Sequence, residues 1–202
     1  MLPAVGLGVV DPAEQQAFGV DRSERAAWLD EVVPLLHLLW RGEAVDHDGP
    51  RFHYRGLRVQ PAAVKGDLDV WLGGRAPSEL RRVGRLGDGW LPSFCTPDQA
   101  AEGRLVVEKA AADAGRHMDP EHWGALVAYC PGEMPGPLAD RLARIVPGTD
   151  PAEVVPSGLP ALRARLEEFV ERSFSKLVVL PVGPAGDDHL TALADAVLDL
   201  QV

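Results

Sequence analysis

Cysteine is scarce: only Cys95 and Cys130 occur in 202 residues, far apart and without a disulfide pattern. That excludes a disulfide-stapled secreted scaffold and points to a reducing, cytoplasmic compartment. Positive charge is also short, since 20 Lys and Arg against 30 Asp and Glu leave a formal charge of −10. Nucleic-acid binders need basic patches, so that class is set aside. The one arginine cluster, Arg81, Arg82 and Arg85, reads as a solvated helix face. No apolar run approaches the length that crosses a bilayer, so no membrane partner is expected. The N-terminus lacks a basic region and a convincing cleavage site, so no signal peptide is expected either. What is present, 46% hydrophobic and 25% charged residues, suffices for a sizeable core, and residues 1–202 read as a single domain.

Strand-like and helix-like segments alternate along the chain. Val5–Val10 reads as a first strand. A helix from about Asp21 follows, with Glu24 placed for a capping box and Trp28, Val32, Leu35, Leu36 and Leu39 on one face. Pro34 is expected to kink it and Gly42 to end it. Asp46–Pro50 reads as a turn, and Phe52–Val59 as a partly exposed excursion. Then come a strand at 69–72, a helix at Pro77–Leu86, and a strand near Gly89–Ser93. Thr96-Pro-Asp-Gln99 opens a helix to about Gly115, with Thr96 and Gln99 placed for a capping box. Further strands are expected at Ala125–Cys130 and Lys176–Pro181. Helices are expected at 159–172 and from Asp187, as a cap, to Leu200. Pro131 to Pro160 holds seven prolines around one short helical piece near Leu138–Ile145. It reads as an insertion, either a lid over strand ends or a passive loop. Five strand–helix units imply a parallel sheet covered by helices, in an open doubly wound sheet or part of an eight-stranded barrel.

The segment from Asp69 to Trp90 carries the most chemistry. A short apolar run, Val70-Trp-Leu72, stops at Gly73 and Gly74, and a helix begins near Pro77. The glycines clear β-carbons from the main chain. The first helical turn offers unpaired amides and a partial positive charge, which Arg75 reinforces. Strand, glycines and helix start together suit a phosphate; the same pattern also makes an ordinary tight turn. Asp11 reads as a hydroxyl-orienting group or as the N-cap of the segment from Pro12. Trp71 and Trp90 are candidates to stack on an aromatic ligand or to sit in the core. Asp46, His47, Asp48 and His53 match no compact metal-ligand spacing, so no metal is expected. Cys95 lacks a neighbouring histidine or positive environment to activate it.

Val70-Trp-Leu-Gly-Gly-Arg-Ala-Pro-Ser-Glu-Leu-Arg-Arg-Val-Gly-Arg-Leu-Gly-Asp-Gly-Trp-Leu-Pro92 closely resembles the luciferase-like monooxygenase family. The likeness is strongest to its actinobacterial branch of F420-dependent oxidoreductases. Gly6-Leu-Gly8 with Glu14 and Phe18-Gly-Val20, Leu39–Val45 with Asp48-Gly49, Gln60-Pro61 and Thr96-Pro97 also match, in the family's order. The resemblance implies a (β/α)₈ TIM barrel with FMN or coenzyme F420 at the strand C-terminal ends. The chain would supply units four to eight. About ninety N-terminal residues are then expected to be missing, because a whole barrel takes roughly 250.

By the same resemblance, Gly73, Gly74, Arg75 and Ala76 hold the cofactor phosphate. Asp11 and Glu14 lie near the reacting centre, although Val10 stands where relatives often have glycine. Gly89-Trp90-Leu91 lines the pocket wall, with Trp90 against the cofactor. The acid/base histidine of relatives falls in the expected missing part, so no catalytic residue is assigned. The implied function is hydride transfer between F420 (or FMN) and a small organic substrate, in a homodimer as relatives commonly are. One alternative is a non-catalytic flavin-binding remnant, or a fragment that works only with its missing half. Another is a nucleotide or sugar-phosphate binder of a different family, disfavoured because no acidic ribose-binding residue follows the glycines at the expected spacing.

Overall fold

The computed structural model describes residues 2–8, 12–19, 21–186 and 188–201. In chain order the elements are β1 (Ala4–Val5), α1 (Pro12–Phe18), α2 (Arg22–Trp40), β2 (Val45–Asp48), β3 (His53–Leu57), β4 (Trp71–Leu72), α3 (Pro77–Leu86) and β5 (Gly89–Trp90). There follow α4 (Pro97–Asp113), β6 (Gly124–Tyr129), α5 (Gly136–Ile145), α6 (Pro151–Val154), α7 (Leu159–Glu171), β7 (Lys176–Pro181) and α8 (His189–Val197). Two compact units result: residues up to Gly89 with Val107–Met118, and Trp90–Val106 with residues from Asp119 onward. Helix α4 contributes to both.

In the first unit the sheet order is β1-β4-β5, with β1 and β4 parallel and Ala4 beside Trp71. Val70, Trp71, Leu72 and Val83 form its dry centre. Glycines admit the bulk. A β-carbon on Gly89 would lie 2.4 Å from the Trp71 ring, and one on Gly84 2.5 Å from the Val107 carbonyl. Asp88, between Gly87 and Gly89, fixes the junction of α3 and β5. It accepts the Val70 amide at 2.8 Å and pairs with Arg116 at 3.1 Å and His37 at 3.3 Å.

Two expectations for this unit need correction. Asp46–Asp48 is not a turn: it belongs to β2, antiparallel to β3, and the reversal falls at Gly49–Phe52. The reason is tertiary, because the Glu31 carboxylate of α2 accepts His47 Nε2 at 2.9 Å and the Arg51 and Phe52 amides at 3.1 Å. Helix α2 buries Leu35 of the anticipated face and half-buries Trp28, Val32, Leu36 and Leu39, but it also buries Val33, which lies outside that face; the helix continues past Pro34 to Trp40. Its N-cap is Asp21, whose carboxylate takes the Ser23 amide at 2.8 Å. The last residues of the expected first strand, Val9 and Val10, lie outside the described residues.

In the second unit β6 and β7 are parallel, with Gly124 beside Lys176 and Tyr129 beside Pro181. Single parallel bridges join Trp90 to Trp123 and Ser93 to Leu126. Trp90, Trp123, Phe169 and Phe174 interlock as edge-on and tilted aromatic pairs. The capping box at the start of α4 forms as the residues predict. The Gln99 amide donates to Thr96 Oγ1 at 3.2 Å and the Thr96 amide to Gln99 Oε1 at 3.1 Å. The proline-rich segment folds as α5 and α6 and packs Leu142, Val146, Val154 and Val155 onto Ala128 and Cys130. The expected cap of the last helix, Asp187, lies outside the described residues. At the start of α8 the Tyr129 hydroxyl and His189 Nε2 share a hydrogen bond, with the rings stacked at 5.7 Å. Burial pushes the Tyr129 phenol above its ordinary pKa.

Candidate functional site

The turn between β4 and α3 gathers the four residues expected to hold a phosphate. Gly73 continues β4, its amide donating to the Val5 carbonyl at 2.9 Å. Gly74 adopts φ +101°, a conformation that side chains disfavour. Ala76 is the N-cap, extended at φ −63° and ψ 147°, and Pro77 opens the helix. Alanine brings no capping oxygen. Glu79, one turn into α3, supplies it: Oε2 accepts the Arg75 amide at 3.0 Å and the Ala76 amide at 2.9 Å.

The turn is expected to hold a cofactor phosphate; in the structure the Arg75 and Ala76 amides are taken by the protein's own Glu79 carboxylate. Gly74 is required twice over, for its φ and for space, since a β-carbon there would lie 2.7 Å from Glu79 Cδ. Two main-chain donors converge on one negatively charged oxygen, the arrangement by which helix starts bind phosphates. Glu79 went unread in the sequence because the usual capping-box signature has Ser or Thr at the N-cap, and Ala76 breaks it.

The other candidates fall elsewhere. Trp90 is 1% exposed and packs against Trp123, Phe174 and the bare Cα of Gly103. Trp71 is likewise buried, against Gly89. Asp11 and the Glu14 side chain lie outside the described residues. Cys95 and Cys130 are buried in the core and not joined in a disulfide, and burial pushes Cys130 above the ordinary thiol pKa. His47 is engaged by Glu31 and His53 by Asp48 at 2.8 Å. Among the described residues no cluster of His, Cys, Asp or Glu has metal-binding geometry, and no helix is long and apolar enough to cross a membrane.

The profile of the luciferase-like monooxygenases matches residues 4–171. The chain belongs to the luciferase-like monooxygenase family. A phthiodiolone/phenolphthiodiolone dimycocerosates ketoreductase of Mycobacterium sp. (strain JLS) is 31% identical over 116 residues, covering 55% of this chain and 30% of that protein. Among solved structures, an F420-dependent secondary alcohol dehydrogenase, in complex with an F420-acetone adduct, aligns at a TM-score of 0.74 and 16% identity. It covers 98% of this chain and 69% of its own. The coenzyme F420-dependent tetrahydromethanopterin reductase of Methanopyrus kandleri aligns at 0.72 and 16% identity, covering 100% of this chain and 74% of its own. At such identities the likeness shows the fold. It is α/β with parallel strands and corresponds to part of the (β/α)₈ barrel of these luciferase-like proteins. The match spans under a third of the curated relative's length.

Proposed function

We propose that this luciferase-like chain belongs to an oxidoreductase that seats the phosphate of coenzyme F420, or of FMN, at the Gly73–Ala76 turn and moves a hydride to or from an organic substrate. One observation carries the reading: the Arg75 and Ala76 amides converge on a single anionic oxygen at 3.0 and 2.9 Å. The Glu79 oxygen marks where a phosphate oxygen would sit. For the cofactor to fit there, Glu79 must swing away, leaving both amides and the space beside Gly74. The bound deazaflavin or flavin supplies the hydride chemistry. This chain's residues hold and orient: Gly73 and Gly74 keep the main chain bare, Arg75 adds positive charge, and Trp71 and Trp90 stiffen the neighbouring strands from within the core. The resemblance of Val70–Pro92 to the F420-dependent branch puts F420 first and FMN second. Proton transfer is assigned to no residue here.

The occupied turn favours a second reading, a chain that keeps the family's corner but has closed it with Glu79 and no longer binds cofactor. Absorbance titration of the purified protein with F420 and with FMN separates the two. Uptake of either at micromolar concentration supports the first reading; binding of neither overturns it.

A further inference from the structure

The turn between β4 and α3 leans on the neighbouring strand β1. The ladder between the two strands is short, with Ala4 beside Trp71 and Val5 beside Leu72. At its end the Gly73 amide donates to the Val5 carbonyl at 2.9 Å. Gly73 leads directly into Gly74, at φ +101°, and the Arg75 amide. Where Val5 sits therefore sets where the turn begins. Val5 opens in its own turn onto Gly6-Leu7-Gly8, with Gly8 at φ +75°. Two glycines give this tip of β1 wide main-chain freedom and no side chains to pack. Leu7 between them is held from α2. Near the start of that helix, Arg25 Nη1 donates to the Leu7 carbonyl at 3.0 Å. A hydrogen bond from a cationic donor is stronger than one between neutral groups.

Resting on the cofactor reading above, we propose that Arg25 is a positioning residue for the phosphate seat at Gly73–Ala76. It acts through other groups. Arg25 fixes Leu7, Leu7 steadies the tip of β1, and the Val5 carbonyl keeps the Gly73 amide in place. A seat ordered in advance binds its anion without a further loss of main-chain entropy. Without the Arg25 bond, that ordering is done when the phosphate arrives, and affinity falls. A ligand that lacks the phosphate does not use the seat and escapes the loss.

Absorbance titrations of the native protein, Arg25→Gln and Arg25→Lys test it, with FMN against riboflavin and F420 against its bare deazaflavin core. Glutamine is a good helix former but too short to reach Leu7, whereas lysine keeps the charge, a donor and most of the length. Arg25→Gln should weaken the phosphate-bearing ligand roughly fivefold, the scale of one hydrogen bond, and leave the phosphate-free one unchanged. Arg25→Lys should restore most of that affinity. A second measurement needs no cofactor. Amide exchange read by nuclear magnetic resonance should quicken at Gly73 in Arg25→Gln. Trp71, bonded to the Pro3 carbonyl at 2.9 Å further down the ladder, should keep its native rate. The role of Arg25 alone is overturned if the native protein binds cofactor and any of four results follows: unchanged affinity in Arg25→Gln, equal weakening of both members of a pair, no rescue by lysine, or unaltered exchange at Gly73. A native protein that takes up neither FMN nor F420 overturns the cofactor reading and this role with it.

Discussion

Replacing Glu79 with alanine should weaken the protein and strengthen its hold on a phosphate-bearing cofactor. The carboxylate satisfies two first-turn amides that Ala76 cannot serve. Losing such a cap costs about 1 kcal/mol. In a protein of this size that is a fall in Tm of about 2–4 °C. In the native protein a phosphate must first displace the carboxylate, so the same interaction opposes binding. Removing it should tighten Kd by about fivefold, since about 1.4 kcal/mol is a factor of ten. Glu79→Gln keeps an acceptor and loses the charge, and it should fall between the two. Thermal melts and absorbance titrations with F420 and FMN read both quantities. A variant that melts lower but binds no better would show that the phosphate does not use these amides.

Asp88→Ala leaves the Val70 amide unpaired in the core and strips Arg116 of a partner, a loss of about 1–3 kcal/mol visible in thermal melts. Gly89→Ala drives a methyl group into the Trp71 ring and should destabilise by about 1–3 kcal/mol, with a changed tryptophan emission spectrum. Burial alone would raise the Glu31 pKa, but hydrogen bonds from His47, Phe52 and Arg51 outweigh it and hold the carboxyl below its ordinary value. Because the folded pKa is the depressed one, this anchor is complete above the ordinary carboxylate range and is lost as pH falls through the lower folded value. Amide exchange at Arg51 and Phe52 should accelerate over that acid window, and Glu31→Gln should remove the step. Exchange without any pH step beyond the intrinsic chemistry would contradict the assignment.

Local signals were legible where the cause is local. Pro77 at the first turn and Gly87 after the last place α3 at Pro77–Leu86, and Thr96 with Gln99 form the box their spacing predicts. The parallel α/β organisation was readable too, because short apolar runs alternate with helical stretches. What escaped was set from a distance. Asp46-His-Asp48 has turn composition, yet Glu31, sixteen residues from His47, pins it as a strand. Leu35 lies on the face that the periodicity of α2 marks, but Val33, off that face, is buried by tertiary packing. At the turn between β4 and α3 the positions of the glycines and the helix start were plain, but the carboxylate that fills it was hidden by the alanine N-cap. The tryptophans divide differently again: as strand residues facing tightly packed glycines, Trp71 and Trp90 are core.

The most direct test of the central claim compares each cofactor with its phosphate-free counterpart: FMN with riboflavin, and F420 with its bare deazaflavin core. If the Arg75 and Ala76 amides grip the phosphate, the phosphate-free form should bind more weakly by a factor of about ten or more, given roughly 1.5–3 kcal/mol for a hydrogen bond to a charged group. Equal affinity for the two members of each pair would contradict the account.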